Sequence, residues 1–146
     1  MNITSHYLEC VFNKTKFESM VNNAANKLDD FDHKTPFDSI AFTGASGAAL
    51  AFPLSIALEK SLICVRKRRS GSHSPYEVEG NCGSKSYIIV DDFTETGETI
   101  DRITSALKHF CNSTPAGIYL YRPTYSDRSK SEFTVNDNLT IPMVKC

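Results

Sequence analysis

The sequence lacks the marks of a zinc-bound, secreted or membrane-spanning chain. Cys10, Cys64, Cys82, Cys111 and Cys146 include no CxxC pair, and His6, His33, His73 and His109 stand without ligand spacing to one another or to the cysteines. Those spacings exclude the usual structural zinc motifs. An odd cysteine count leaves one thiol over in an oxidising compartment, so reduced thiols are expected. Met1 to Glu9 has neither the basic start nor the apolar run of a signal peptide. No apolar stretch approaches the roughly 20 residues of a membrane span, so a cytoplasmic location is expected, with no membrane partner. Charge is balanced as well: 16 Lys and Arg against 17 Asp and Glu leave a net of -1, which gives no field to gather nucleic acid. Internal repeats and low-complexity tracts are absent.

What is present suits one compact domain, since 146 residues can bury a core without staples. Residues 1–146 are therefore read as a single domain with a core over about 38–122. Phe17, Met20, Val21, Ala24, Ala25 and Leu28 recur at helical spacing within Lys16 to Leu28, and Asp29 to Pro36 supplies breakers. Ser39 to Thr43 reads as a strand entering Gly44-Ala45-Ser46-Gly47, with a helix over Ala48 to Leu58. Ser61 to Val65, Ser86 to Val90 and Gly117 to Tyr121 carry further strand signals, and Glu98 to Phe110 places Ile100, Ile103, Leu107 and Phe110 on one side of a helix. Between two of these strands, 67–85 is a long polar stretch with Arg68, Arg69, His73 and three glycines, the composition of a functional lid or an insertion. Alternating strands and helices indicate an α/β fold with a mainly parallel sheet covered on both faces. Residues 123–146 alternate only weakly and are expected, with 1–15, to form a small cap of short strands.

Tyr87-Ile88-Ile89-Val90 runs into Asp91-Asp92, and Phe93-Thr94-Glu95-Thr96-Gly97-Glu98-Thr99 opens the next helix. A helix start offers unpaired N–H groups at the positive end of its dipole, a natural seat for phosphate. Gly97 allows close backbone approach, and the Thr96 and Thr99 hydroxyls add donors. Adjacent carboxylates at a strand end repel each other and lose hydration unless cations or hydroxyls face them. A ribose diol together with Mg²⁺ meets that need.

Val90-Asp91-Asp92-x-x-x-Thr96-Gly97-x-Thr99 resembles the signature of type I phosphoribosyltransferases, which bind 5-phosphoribosyl-1-pyrophosphate (PRPP). The resemblance spans roughly Ile40 to Leu120 and implies a five-stranded parallel core with a hood over the base. It implies that Asp91 and Asp92 meet the ribose hydroxyls, directly or through Mg²⁺, and that Thr94, Glu95, Thr96, Gly97, Glu98 and Thr99 cradle the 5-phosphate. Ala45, Ser46 and Gly47 fall where the family holds pyrophosphate. Val65-Arg66-Lys67, the lid and Tyr76-Glu77-Val78-Glu79-Gly80 resemble the basic flexible loop of adenine and orotate enzymes, so Arg66, Lys67 and His73 are expected at pyrophosphate.

The implied reaction moves the 5-phosphoribosyl group of PRPP to a nitrogenous base and releases pyrophosphate, with Glu95, Asp92 and Lys67 as its catalytic candidates. Glu95 stands where adenine and orotate enzymes usually have alanine and 6-oxopurine enzymes an acid, so a purine-like acceptor is favoured and Glu95 is the candidate proton acceptor. Glu95 is also a first-turn acid of the kind that stabilises a helix start. The lid points toward adenine or orotate instead, and the two signals conflict. A homodimer is expected by analogy alone. A PRPP or nucleotide sensor without turnover is the alternative. A hydrolase built on Ser46, or a phosphoacceptor receiver built on the acid pair, fits less of the pattern.

Overall fold

A computed structural model describes residues 9–67, 77–135 and 138–146. A short helix α1 (Glu9–Phe12) leads into α2 (Lys14–Lys34), whose N-terminus is capped by the Asn13 side chain accepting from the Lys16 N–H. The helix runs past the expected end at Leu28, because the aspartates that follow do not break it. Asp32 instead accepts from the Phe37 N–H at 3.0 Å and pairs with Lys60 at 2.8 Å, while His33 Nδ1 donates to the Asp29 carbonyl. His33 and Lys34 also complement the dipole at the last turn.

Next come β1 (Ser39–Phe42), α3 (Gly44–Leu58), β2 (Ser61–Val65), β3 (Val78–Gly80), β4 (Ser86–Asp91), α4 (Glu98–Cys111) and β5 (Thr114–Leu120). The chain closes with α5 (Tyr125–Arg128), β6 (Glu132–Thr134) and β7 (Thr140–Val144). The seven strands lie in the order β3-β2-β1-β4-β5-β7-β6. Pairs β2·β1, β1·β4, β4·β5 and β5·β7 are parallel, and β3 and β6 are antiparallel at the edges. The expected five parallel strands are present, but the fifth comes from the tail. Residues 140–144, expected in a cap, instead join the main sheet, where Ile118 and Tyr119 pair with Met143 and Val144.

Period-two alternation divides the core between two faces. Along β4, Tyr87 and Ile89 pack beneath α4 with Ile100, Ile103 and Leu107, while Ile88 and Val90 face α2 and α3 with Leu28, Leu50 and Leu54. All four strand residues are fully buried, as a strand covered on both sides requires. Phe110, expected on the buried side of its helix, is 53% exposed.

Two corrections fall at the return from the lid. Residues 78–80, expected within a structureless stretch, form an edge strand on β2, and the Arg66 guanidinium meets the Glu79 carboxylate at 2.9 Å. Cys82, just after β3, is bonded to Cys111 at the end of α4, with Cα atoms 4.8 Å apart. That corrects the expectation of reduced thiols and removes their support for a cytoplasmic location. The pair is 29 positions apart in sequence, and the elements that carry it meet only because β3 and α4 share one core. Arg68, Arg69, His73 and His6 lie outside the described residues. No helix among the described residues is long and apolar enough to cross a membrane.

Gly117 on β5 lets α2 close on the sheet, since a Cβ there would lie 2.9 Å from both Ile88 Cδ1 and Phe31 Cζ. Gly117→Ala is therefore expected to cost about 1–3 kcal/mol of stability through overpacking. Urea denaturation checks this, and an unshifted midpoint would mean that Phe31 does not seal this face.

Candidate active site

The two central parallel strands leave the sheet's carboxyl edge in opposite senses, β1 toward β2 and β4 toward β5. The right-handed crossovers therefore place α3 and α4 on opposite faces, and a crevice opens where the topology switches. A cleft of about 320 Å³ lies there, lined by Thr43, Gly44, Ser46, Lys67, the run Asp91 to Ile100, and Arg102. Asp91, Asp92, Thr94, Glu95, Thr96, Gly97, Glu98, Thr99, Ser46 and Lys67 thus meet as the sequence reading expected.

Three expected residues stand elsewhere. Gly47 is buried beneath the cleft, where a Cβ would approach the Val90 carbonyl and Phe42 Cβ at 3.1 Å, so its role is close packing of α3 on the sheet. Ala45 is exposed and does not line the cleft. Arg66 is turned to Glu79 on β3 rather than to the cleft. His73 falls outside the described residues.

The expected turn at 44–47 is in fact the first turn of α3, entered through Gly44 at a φ of +68°. Its leading N–H groups have no earlier helical carbonyl to bond and border the cleft. The same holds at α4, where Gly97, at a φ of +83°, is the N-cap residue and Thr96 Oγ1 accepts from the Glu98 N–H at 3.4 Å. Two helix starts therefore face one cleft, which suits a ligand carrying anionic groups at both ends.

Between them sits the acid pair. Asp91 Oδ1 accepts from the Asp92 N–H at 2.9 Å and from the Ser46 hydroxyl at 3.3 Å, which ties the end of β4 to the first turn of α3. The Tyr121 hydroxyl braces the same point by donating to the Ser46 carbonyl at 2.7 Å. Burial, reinforced by the neighbouring Asp92 charge, pushes the Asp91 carboxyl up to about 7. Asp92 is 3% exposed; its Oδ1 accepts from the Phe93 N–H, while its Oδ2 is buried without a partner. An orphaned carboxylate oxygen beside a second buried acid fits a ligand hydroxyl or a divalent cation. Among the described residues no cluster of three or more His, Cys, Asp or Glu could hold a metal alone. Mg²⁺ is commonly held by one or two carboxylates plus substrate oxygens, so Asp91 and Asp92 suit it in that role.

Thr94 departs from its expected part as a phosphate donor. Its N–H and its hydroxyl both donate to Asp127 on α5. Asp127 was not anticipated. Thr124-x-x-Asp127 is legible as a capping box, and the box is present, but nothing local announces a bond 33 positions back. Arg102, on the second turn of α4, also lines the cleft and was not singled out.

Solved structures similar to this one include phosphoribosyltransferases. An orotate phosphoribosyltransferase from Aeropyrum pernix superposes with a TM-score of 0.63 at 18% identity, over 82% of this chain and 66% of its own. Adenine phosphoribosyltransferase from Saccharomyces cerevisiae superposes with a TM-score of 0.61 at 21% identity, over 90% of this chain and 78% of its own. The fold is that of the type I phosphoribosyltransferases. In sequence, an orotate phosphoribosyltransferase of Methanospirillum hungatei is 31% identical over 65 residues, 44% of this chain and 38% of that protein. The chain thus matches well under half of that curated relative's length. No protein-family model matches it.

The acid pair has a consequence for stability. Because the Asp91 carboxyl is raised in the folded chain, the fold binds its proton more tightly than the unfolded chain does, and stability falls as pH rises from about 4 through 7. Asp91→Asn keeps an oxygen acceptor and removes the penalty. The variant is expected to melt with the parent near pH 3 and above it at pH 8, by at most ~4 kcal/mol at ~1.4 kcal/mol per pKa unit. Coincident profiles of melting temperature against pH would show that Asp91 ionises without cost.

Proposed function

We propose that this chain is a phosphoribosyltransferase, binding PRPP in the cleft and transferring its phosphoribosyl group to a nitrogenous base with release of pyrophosphate. The observation that carries the reading is the unrelieved acid pair, Asp91 and Asp92, set between two helix starts. PRPP has the matching sequence of groups: a 5-phosphate, a ribose diol and a pyrophosphate. The α4 start suits the 5-phosphate, the carboxylates suit the diol, and the α3 start with Lys67 suits the pyrophosphate.

In the reaction the bond from the anomeric carbon to pyrophosphate breaks and a bond to the base nitrogen forms. The chain's contribution is chiefly placement and charge. Asp91 and Asp92 fix the sugar by its hydroxyls, the α4 start anchors the 5-phosphate, and Lys67 with the α3 N–H groups meets the negative charge that grows on the leaving group. Mg²⁺, when bound at the acid pair, would add neutralisation of the pyrophosphate and ligation of the diol.

Glu95 lines the cleft and is exposed, and in this reading it takes a proton from the incoming base. That supports a purine-like acceptor, as in 6-oxopurine enzymes. A homodimer belongs to the same proposal: α3 contains no charged residue yet exposes Phe52 and Ile56, a face suited to burial against a second copy. Sedimentation equilibrium tests it, and a monomer at all concentrations would reject it.

Calorimetric titration with PRPP and Mg²⁺, followed by a pyrophosphate-release screen over adenine, guanine, hypoxanthine, xanthine, uracil and orotate, tests the main reading. Binding with release on a purine is the expected result. Binding without release would favour a sensor, release on orotate alone would reject the purine preference, and no binding would reject the proposal. Glu95→Ala is expected to lower turnover at least 10-fold with little change in PRPP affinity, and an unaffected rate would leave Glu95 a helix-start acid only.

A further inference from the structure

The tail does more than extend the sheet. Asp127 on α5 is 3% exposed, and its carboxylate collects donors both from the distant Thr94 and from Thr124, the N-cap of its own helix. Oδ2 accepts from the Thr94 N–H at 3.1 Å and from the Thr124 N–H at 2.9 Å, and Oδ1 accepts from the Thr94 hydroxyl. Burial pushes this carboxyl up, but the hydrogen bonds from Thr94 and Thr124 outweigh it and hold the group below its ordinary range. Asp127 is therefore an anion both of whose oxygens accept from protein donors. Phe133 on β6 closes the other end of the loop, since a Cβ on Gly97 would lie 2.6 Å from its Cζ. Both ends of 94–97 are thus held by the tail.

We propose that Asp127 is the positioning residue of the phosphate loop. It fixes Thr94 by backbone and side chain together, which leaves the following N–H groups, from Glu95 to Gly97, set toward the cleft before any ligand arrives. It touches neither phosphate nor sugar. Its effect is to spare the ligand the ordering of a flexible loop, a cost that binding otherwise bears. The inference deepens the phosphoribosyl reading and rests on it for the identity of the anion.

The test compares Asp127→Ala with Asp127→Asn. Asparagine retains one oxygen for both N–H groups and offers an amide donor to the Thr94 hydroxyl, so it keeps the geometry without the charge. In titrations with PRPP and Mg²⁺, alanine is expected to weaken binding 10-fold or more and asparagine less than 3-fold. Hydrogen exchange of the 94–97 amides should quicken in the alanine variant alone. Thr94→Val should weaken PRPP binding in the parent and add nothing in Asp127→Ala, because the two side chains act through one bond. Parental affinity in Asp127→Ala, equal losses in the two Asp127 variants, or additive losses with Thr94→Val would each overturn the inference. If Asp127→Ala does not fold, Thr94→Val decides through exchange at 95–97, which unchanged rates would settle against it. If the parent chain itself binds no PRPP, the proposed function fails, and the exchange rates alone judge the positioning role.

Discussion

Two carboxylates buried at the end of the central strand are the constraint around which this molecule is arranged. Asp91 and Asp92 repel one another, and one oxygen of Asp92 is buried with no partner. Such a pair persists only where its surroundings over-determine it. The surroundings here are β4, fully buried from Tyr87 to Val90, and a parallel neighbour on either side. Ser46 reaches across from α3 to Asp91, and Tyr121 holds Ser46 from behind. The sheet therefore keeps in place a local arrangement that its own chemistry disfavours.

Much of this was legible because it is local. Period-two burial marks β4, the spacing of Ile100, Ile103 and Leu107 marks α4, and the acid pair between a buried strand and a Thr-Gly turn marks the cleft. What escaped reading is tertiary. Asp29, Asp30 and Asp32 look like breakers in isolation, yet α2 continues because Asp32 finds Lys60 and the Phe37 N–H. The tail's weak alternation hid a parallel strand, since β7 is covered by elements distant in sequence and does not depend on a strong pattern of its own. Arg66 follows a strand in the position that suits a pyrophosphate ligand, but the edge strand β3 brings Glu79 to it first. The link between Cys82 and Cys111, like that between Thr94 and Asp127, depends on which elements become neighbours, and spacing carries no trace of that.

The two halves of the cleft are prepared in opposite ways, and the difference bears on how a ligand would be held. At the acid pair the protein is short of positive charge and donors, so a cation or a diol relieves a cost already present in the fold. At the 94–97 loop the protein lacks nothing: Asp127 accepts from Thr94 and Phe133 packs against Gly97, so a phosphate would meet a loop already held at both ends. One end of a ligand would therefore gain by relieving strain and the other by avoiding the entropy of ordering a loop. A molecule that carried only the phosphate would leave the acid pair unrelieved, and one that carried only the diol would leave the α4 start without its anion. A single rigid sugar bearing both groups engages the two devices at once, and that coupling is what the spacing of a strand end and the next helix start provides.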